Sequence, residues 1–248
     1  SDVPTVLEEL VARGIDVVRS PYVPESLIVD AGALGDDPHG RWSVQGEAAA
    51  MVVDLLDPMP GETILEMCSG RGNKTVQIAA RLGGTGNLVC VEIDDRKIRV
   101  LRETLERCGV ADAGIVTGDA RTAATEVAAH AVLLDAPCSG TGIIGRHPEA
   151  RWRKTPGDGE RLAIVQGELL RSAAARTLSG GRLTYSVCSS DVREGRAVVD
   201  AFLAENSAFA RAALPERYAS FARDGDVVVP AGVDGRDGFF IATLVRVG

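Results

Sequence analysis

Two cysteines stand where thiol chemistry would be useful. Cys138 and Cys188 each closely follow a predicted buried strand. In a doubly wound sheet the carboxyl ends of adjacent strands share one edge, and ligands bind there. A lone buried cysteine is usually a small hydrophobic residue, which is our interpretation of Cys90 and Cys108. Because Cys138 and Cys188 are expected at the ligand-binding edge, we predict that these two thiols are functional.

A glycine-rich stretch, 66–75, ends the first predicted strand and opens a helix. Glycine lets the backbone turn tightly and approach a ligand at a helix N-terminus. Glu92 ends the next strand, 22 residues after Gly70, where an acid can accept hydrogen bonds from ribose hydroxyls. Gly70 and Gly72 lack the third glycine of a dinucleotide fingerprint, so we predict a methyl donor with one nucleoside and an amino-acid tail. Asp119 either binds the adenine side or caps its own loop.

The chain alternates short apolar stretches with helical patterns from residue 60 onward. Such alternation is typical of βαβ units, and continuous apolar strands are typical of a parallel sheet covered on both faces. We therefore predict an α/β fold with a mostly parallel sheet. The predicted strands are 63–67, 88–93, 114–117, 131–135, 182–187 and 239–247, and the predicted helices are 43–56, 74–82, 95–108, 160–178 and 193–204.

The beginning of the chain differs from the rest. It holds a helical pattern at 6–13, a strand-like stretch at 15–18 and loops broken by proline and glycine. A length of 248 residues fits one large domain with a small addition. We interpret residues 1–42 as a small N-terminal appendage and residues 43–248 as the main domain.

Composition excludes several classes of protein. The net charge of −8 argues against a simple electrostatic nucleic-acid binder, but residues 1–60 hold eleven acidic and three basic side chains, so the remainder is formally neutral. No apolar stretch reaches membrane-spanning length, and from the residue pattern we expect no export leader. Five cysteines without a CxxC pair, and three scattered histidines, argue against a disulfide scaffold or a metal site. A reduced, cytoplasmic compartment is expected.

Six short segments, taken together, are specific for one protein family, although each alone is a weak signal. They are residues 45–56, 68–74, 135–142, 148–153, 185–190 and 237–240. With them the chain resembles the RsmB/NSun type of RNA cytosine-5 methyltransferases, from residue 42 to the end and more faintly over 6–42. The resemblance implies a class I Rossmann-like domain with seven strands, the last antiparallel. It also implies S-adenosylmethionine as cofactor and methylation of carbon 5 of a cytosine in RNA, in particular ribosomal RNA.

The resemblance assigns catalytic roles to three residues. Carbon 5 of cytosine is a poor nucleophile until a thiolate adds to carbon 6, and this thiolate is assigned to Cys188. A thiol with a pKa of about 8.5 is only about 3% ionised at pH 7, so the site must favour the anion. Asp135 is expected to hydrogen-bond the ring nitrogen, and Cys138 to assist release of the product. DNA cytosine methyltransferases use the Pro-Cys position as nucleophile, so the additional Cys188 points to the RNA branch.

The resemblance also implies a set of cofactor-binding residues. Lys74 is expected to meet the carboxylate of the cofactor, the alternative being an exposed lysine at a helix start. The family's usual loop reads Cys-Ala-Ala-Pro-Gly-Gly-Lys, from which this chain departs at four positions. The set is Cys68, Ser69, Gly70, Arg71, Gly72, Asn73, Lys74, Glu92, Asp119 and Asp135.

Basic side chains and an indole follow the Cys138 loop, namely Arg146, Arg151, Trp152, Arg153 and Lys154. We predict that they hold phosphates and stack a base, the alternative being a solvated loop with Trp152 packed inward. RNA is then the partner of a protein without metal or membrane contact, and a monomer is favoured. Two other functions stay open: methylation of tRNA or a small molecule, and a catalytically silent RNA-binding assembly factor with the same fold.

Overall fold

A computed structural model describes residues 3–35, 37, 40–148, 152, 155 and 157–248. Its first elements are α1 (Val3–Ala12), β1 (Val17–Arg19), β2 (Leu27–Val29), α2 (Ala31–Leu34) and α3 (Glu47–Leu56). The central elements are β3 (Thr63–Met67), α4 (Asn73–Leu82), β4 (Asn87–Glu92), α5 (Asp95–Arg107), β5 (Ala113–Thr117) and β6 (Ala129–Asp135). The last are α6 (Asp158–Arg176), β7 (Thr177–Val187), α7 (Arg196–Glu205), β8 (Phe209–Arg211), β9 (Ala222–Arg223), β10 (Asp226–Val229) and β11 (Phe239–Arg246).

The main sheet has the strand order β5-β4-β3-β6-β7-β11-β10-β9, and β8 also pairs with β11. Strands β3 to β7 are parallel, whereas β11 runs antiparallel to β7. β3 has β4 on one side and β6 on the other, which makes it the switch point where doubly wound sheets bind ligands. The predicted α/β class I Rossmann-like fold with an antiparallel last strand is confirmed.

The strand count and some boundaries differ from the expectation. Within the described residues the sheet has nine strands, whereas the resemblance implies seven. Six of the nine were predicted individually from the sequence pattern, and the other three, β8, β9 and β10, are two to four residues long and too short for a periodic pattern. The helix predicted to reach residue 178 ends at Arg176, because Thr177 already pairs with Ala129 in β7.

Successive side chains of the buried strands point to opposite faces of the sheet. Ile64 and Leu133 pack on one face with α3, α4 and α5. Leu65 and Leu134 pack on the other face with α6 and α7. Because helices cover both faces, the strands are apolar throughout, as their continuous sequences predict. The loops at the carboxyl ends of these strands are therefore held by a rigid, buried scaffold.

Helices α4 and α5 begin at clear local signals. Gly72 precedes α4 with φ at 91°, and a Cβ there would lie 2.6 Å from Leu101 Cδ1 of α5. Both the backbone conformation and the close approach therefore require glycine. Asp94 caps α5, since its carboxylate accepts the Arg96 N–H at 2.8 Å. These signals fix where each helix points its N-terminus relative to the sheet.

Val6 and Leu10 of α1 pack with Leu34 in a separate hydrophobic cluster under the β1–β2 hairpin. The hairpin contains one strand, β2, that the sequence pattern did not predict, because three residues carry little periodicity. Glu25, in the turn between β1 and β2, forms an ion pair with the main domain. The Glu25 carboxylate accepts from the Arg81 guanidinium of α4 at 2.6 and 2.9 Å.

The structure also bears on membranes and metals. Across the described ranges, no helix combines the length and apolar character that crossing a bilayer requires. In the same part of the chain, no three or more His, Cys, Asp or Glu side chains are grouped to hold a metal ion.

Candidate active site

Cys138 and Cys188 lie in the loops after β6 and β7, which are adjacent parallel strands. Their two Sγ atoms are 3.3 Å apart. Backbone pairing continues beyond the strands. The Ala136 N–H donates to the Ser186 carbonyl at 2.9 Å, and the Gly142 N–H donates to the Cys188 carbonyl at 3.1 Å. These bonds hold the two loops side by side and bring the two thiols together.

The two thiols differ in how readily they ionise. The hydrogen bond from Cys138 is the main cause that lowers the pKa of Cys188; burial and the Asp135 carboxylate oppose it, and the Lys74 ammonium supports it. The same hydrogen bond, together with burial, raises the pKa of Cys138. Of the two thiols, Cys188 is therefore the one that ionises more readily, and the thiolate is the nucleophilic form of cysteine.

Lys74 and Asp135 form an ion pair beside the thiols. Lys74 Nζ lies 2.7 Å from Asp135 Oδ2, and the Ser186 hydroxyl donates to Asp135 Oδ1 at 2.7 Å. Burial of Lys74 opposes its charge, but the Asp135 carboxylate keeps the lysine pKa raised. The Lys74 side chain is 13% exposed, so the alternative of an exposed lysine at a helix start is wrong. A contact between Lys74 and a cofactor carboxylate stays a prediction.

A second acid, Glu66, lies in the strand that leads into the cofactor loop. Its carboxylate accepts from the Thr75 hydroxyl at 2.6 Å. Burial raises the pKa of Glu66 to about 7, although Thr75 and the Lys74 ammonium act in the other direction. We assigned no role to Glu66 from the sequence. The available signal was an acid inside an otherwise apolar strand.

The predicted cofactor loop is tied to β4 through Glu92. The buried Glu92 carboxylate accepts the N–H groups of Gly70 at 2.8 Å, Ile93 at 2.9 Å and Asp94 at 3.0 Å. Cys68 and Gly70 both have positive φ, so the loop curls tightly between β3 and α4. Burial raises the pKa of Cys68 to about 12, which keeps this sulfur protonated. Cys68 is therefore a loop residue and not a nucleophile.

The other loop residues are placed by backbone and side-chain bonds. The Ser69 N–H donates to the Val91 carbonyl of β4 at 3.0 Å. Arg71 points outward and is exposed. Asn73 begins α4, and its side-chain amide donates to the Val44 carbonyl at 3.3 Å. Three of the four departures from the usual family loop, Ser69, Arg71 and Asn73, thus lie in the turn or at the start of α4.

Asp119 follows β5 at the same edge of the sheet. Its carboxylate accepts the Arg121 N–H at 2.9 Å and pairs with the Arg121 guanidinium at 2.6 Å. The same guanidinium contacts Glu168 at 2.5 Å. Asp119 therefore caps its own loop, which is one of the two roles that we considered. A contact between Asp119 and an adenine stays a prediction.

The predicted RNA-binding loop is described in part. The Arg146 guanidinium makes a bidentate ion pair with the Asp237 carboxylate, in which Nε donates to Oδ1 at 2.8 Å. Trp152 is 84% exposed, so the alternative in which its indole packs inward is wrong. Arg151, Arg153 and Lys154 lie outside the described residues.

Sequence reasoning missed three further polar side chains at this site, besides Glu66. Ser186 supports the Asp135 carboxylate, and its only signal was a hydroxyl at the end of a predicted strand. Glu194 and Gln166 are both buried behind the cysteine-bearing loops, where they bond to each other at 3.1 Å. No sequence signal separates Glu194 from the exposed acids near it, because the packing of α6 and α7 decides its burial.

Comparison with known proteins gives consistent matches. The sequence profile of the 16S rRNA methyltransferase RsmB/F family matches residues 53–245. The probable ribosomal RNA small subunit methyltransferase B of Bacillus subtilis (strain 168) is 32% identical over 254 residues, which cover 98% of this chain and 57% of that protein. Ribosomal RNA small subunit methyltransferase B of Thermus thermophilus is 37% identical over 240 residues, covering 95% and 57%. The chain thus spans little more than half the length of these relatives.

A solved structure shares the fold. NSun6 from Pyrococcus horikoshii, crystallised with SFG, superposes with a TM-score of 0.87 at 18% identity, over 100% of this chain and 88% of that one. The profile match extends from α3 to the last strand and includes both cysteine-bearing loops. On the strength of that match and of relatives more than 30% identical, the chain belongs to the 16S rRNA methyltransferase RsmB/F family.

Proposed function

We propose that this chain methylates carbon 5 of a cytosine in RNA, with S-adenosylmethionine as methyl donor and a covalent adduct on Cys188. The observation that carries the proposal is the pair of sulfurs 3.3 Å apart, in which the pKa of Cys188 is lowered and that of Cys138 is raised. Addition to carbon 6 of a pyrimidine needs one thiolate, and a second thiol beside it can carry a proton.

The RNA that we propose is small-subunit ribosomal RNA. The relatives from B. subtilis and T. thermophilus are named as methyltransferases of that RNA. In the protein, Trp152 offers an exposed indole for stacking on a base. Arg146 stays near the site through Asp237, with 58% of its side chain exposed to meet a phosphate. Arg151, Arg153 and Lys154 would add charge to the same loop.

The residues around the loop after β3 fit S-adenosylmethionine. The curled loop places backbone groups at the N-terminus of α4, where a charged tail can bind. Glu92 accepts three N–H groups, and a carboxylate can accept about four, which leaves one position for a ribose hydroxyl. Ile93 is exposed beside it and offers an apolar surface to a base. NSun6 was crystallised with SFG, an analogue of S-adenosylmethionine.

The proposed chemistry follows from the placement of four side chains. The Cys188 thiolate adds to carbon 6, so a C–S bond forms and ring electrons move towards carbon 5 and the ring nitrogen. The Lys74 ammonium, bonded to Asp135 beside the thiolate, stabilises the negative charge that develops on the ring, and Asp135 supports the ring nitrogen when its carboxyl group carries a proton. The cofactor supplies an electrophilic methyl group. A solvent water then takes the carbon-5 proton, and the electrons of that C–H bond re-form the ring double bond. The C–S bond breaks, and Cys188 leaves as a thiolate that accepts a hydrogen bond from Cys138.

We propose the same division of the chain as its sequence predicts, with residues 1–42 as an appendage and residues 43–248 as the methyltransferase domain. The appendage carries much of the acidic excess, so RNA contact is proposed for the main domain alone. A monomer acting in the cytoplasm, where ribosomal RNA is available, completes the proposal.

Trapping of the covalent adduct tests this chemistry. The purified protein is incubated with S-adenosylmethionine and small-subunit ribosomal RNA, and protein–RNA adducts that survive denaturation are separated on a gel. We expect Cys138→Ala to accumulate the adduct, because release is impaired. Cys188→Ala and the double variant should form none. Cys108→Ala, which changes a half-buried cysteine at the end of α5, is the matched control and should behave as the wild type.

Bisulfite sequencing of the RNA products identifies the base and the RNA. Conversion-resistant cytosines in ribosomal RNA, lost in Cys188→Ala, are the expected result. Methylation of tRNA alone would keep the proposed chemistry and replace the proposed substrate. Absence of an adduct in Cys138→Ala, or full activity of Cys188→Ala, would contradict the assigned roles.

A further inference from the structure

Glu194 is a buried acid that the chemistry above does not use. It lies between β7 and α7 and has no exposed surface. Its carboxylate accepts three hydrogen bonds: from the Ser139 N–H at 2.7 Å, from Gln166 Nε2 at 3.1 Å and from the Ser189 hydroxyl at 2.9 Å. Burial of a carboxylate is costly unless it is hydrogen-bonded, and these donors offset that cost.

Bonds made by Glu194 and by its partner Gln166 fix the backbone on both sides of Cys138. Ser139 directly follows Cys138, and its N–H points at Glu194 Oε2. Pro137 directly precedes Cys138, and its carbonyl accepts from the Gln166 amide at 2.9 Å. Since Gln166 also donates to Glu194, both neighbours of Cys138 are tied to one carboxylate.

The third bond fixes the loop that carries Cys188. Ser189 directly follows Cys188 and donates its hydroxyl to Glu194 Oε1. The Ser189 oxygen also lies 3.2 Å from the Ser139 hydroxyl and 3.0 Å from the Thr141 hydroxyl, which belong to the Cys138 loop. The two loops are therefore joined through the Ser189 hydroxyl, which contacts both hydroxyls of the Cys138 loop and donates to Glu194.

We propose that Glu194 is a positioning residue that sets the separation of the Cys138 and Cys188 sulfurs. It acts through the Ser139 N–H on one loop and the Ser189 hydroxyl on the other. The separation decides whether Cys138 can donate its proton to the Cys188 thiolate. A displacement of about 1 Å in an active site can cost about a hundredfold in rate. The catalytic consequence of this role rests on the proposed function, whereas its geometric consequence does not.

Two substitutions of Glu194 separate position from charge. In Glu194→Gln the side-chain carbonyl can still accept from Ser139 and Gln166, while its amide group donates to the Ser189 hydroxyl, which rotates to accept. The glutamine variant therefore keeps the bridge and loses the charge. Alanine removes the bridge and leaves the buried Ser139 N–H without its acceptor. A positioning role predicts that glutamine rescues what alanine loses.

The first measurement needs no RNA. Diamide oxidises a close pair of thiols: the two sulfurs lose two protons and two electrons to the N=N bond of diamide, and a Cys138–Cys188 disulfide forms. Its rate is followed by mass spectrometry of the linked peptides. We expect Glu194→Ala to form the disulfide about tenfold or more slowly than the wild type, because the loops are no longer held together. Glu194→Gln should stay within about threefold of the wild type.

Asp226→Ala is the matched control. Asp226 is a fully buried carboxylate on β10 and accepts from the Arg211 guanidinium at 2.9 Å, two strands away from β7. Like Glu194→Ala, Asp226→Ala truncates a buried, hydrogen-bonded carboxylate and so lowers stability. It does not change the cysteine-bearing loops. It should form the disulfide at the wild-type rate.

The second measurement uses RNA. We expect Glu194→Ala to lower kcat about a hundredfold while KM for RNA stays within about twofold, since Glu194 does not touch the substrate. Ser189→Ala removes the bridging hydroxyl and keeps the carboxylate, so it should lower kcat and slow disulfide formation by a smaller factor. It replaces Glu194→Ala in both measurements if thermal unfolding shows that the alanine variant does not fold.

Several outcomes overturn the proposal. Disulfide formation at the wild-type rate in Glu194→Ala, or in Ser189→Ala when that variant replaces it, is one of them. Failure of Glu194→Gln to rescue would assign the effect to charge, and an equal loss of kcat in Asp226→Ala would assign it to stability. A wild-type protein that forms the disulfide but methylates no RNA refutes the proposed function and leaves the geometric role of Glu194 standing.

Discussion

Lys74 donates to Asp135 at 2.7 Å across 61 residues of sequence. The lysine comes from the first turn of α4, the helix after β3, and the acid from the end of β6, so the pair lies at the switch point between β3 and β6. The ammonium also acts on the thiol of Cys188, whose pKa is lowered by its hydrogen bond from Cys138 and further by Lys74. The Lys74 ammonium thus pairs with the Asp135 carboxylate and also lowers the pKa of Cys188.

Replacement of Lys74 by methionine keeps the side-chain length and removes the charge. Loss of the cation destabilises the thiolate, so the pKa of Cys188 rises and its alkylation shifts to higher pH. We expect methyl transfer to fall about 10²- to 10³-fold, as for loss of one electrostatic donor in an active site. Iodoacetamide labelling of Cys188 over a pH series, read by mass spectrometry, measures the shift.

Lys97→Met is the control for this prediction, because Lys97 is an exposed lysine on α5. Its labelling profile should match the wild type. An unchanged profile in Lys74→Met would show that the ammonium does not influence Cys188.

Glu66 makes stability depend on pH. Burial raises its pKa to about 7, against about 4.3 in an unfolded chain. Between these two pKa values the folded state keeps a proton that the unfolded state releases. The contribution of Glu66 to the free energy of unfolding is therefore full below about pH 4 and is lost as the pH rises through about 7. Glu66→Gln is neutral at every pH. We therefore expect its free energy of unfolding, compared with that of the wild type, to rise by about 3 kcal/mol from acidic to neutral pH.

Denaturant unfolding at a series of pH values measures the effect of Glu66. Glu106→Gln changes an exposed glutamate on α5 and should follow the wild-type pH dependence. If both variants show the same slope as the wild type, Glu66 does not carry the buried proton.

Gly72→Ala separates a steric contact from backbone strain. A Cβ at Gly72 would lie 2.6 Å from Leu101 Cδ1, whereas a Cβ at Gly84 meets nothing within 4 Å, and both glycines have positive φ. Gly84→Ala should therefore cost about 1–2 kcal/mol for its conformation alone. We expect Gly72→Ala to cost about 1–3 kcal/mol more, because Leu101 must move.

Chemical denaturation and calorimetric titration with S-adenosylmethionine check both glycine variants. Only Gly72→Ala should weaken cofactor binding, because it displaces the loop at the start of α4. Equal losses of stability and equal affinities in the two variants would exclude the contact with Leu101 as the cause.

Trp152→Ala tests the RNA-binding loop. The indole is exposed, so its removal should change the free energy of unfolding by less than about 0.5 kcal/mol. Stacking of a base on an aromatic ring is worth about 1–3 kcal/mol, so RNA affinity should fall about 5- to 150-fold. Fluorescence anisotropy with a small-subunit ribosomal RNA fragment measures the affinity. Val11→Ala, an exposed apolar residue on α1, is the control, and equal affinity of the two variants would place the RNA elsewhere.

Much of the scaffold could be predicted from local patterns. The strand predicted at 63–67 is observed as Thr63–Met67, and Glu92 ends β4 as expected. Strand direction follows from the helices between the strands, and it places Cys138 and Cys188 at one edge before any distance is known. The short strands β8 to β10 could not be predicted, because their pairing with β11 and with each other, and not their own pattern, defines them.

The sequence by itself determined the order of strands and helices, the cysteine-bearing loops and the family resemblance, because periodicity and turn residues act over a few neighbours. Only the tertiary structure decided the electrostatics of the site. Which thiol keeps the proton depends on two sulfurs 50 residues apart and on Lys74. The burial of Glu194 depends on loops that meet over α6. Such pairings arise when helices close over both faces of a sheet, which fixes distances and removes water in ways that no local pattern encodes.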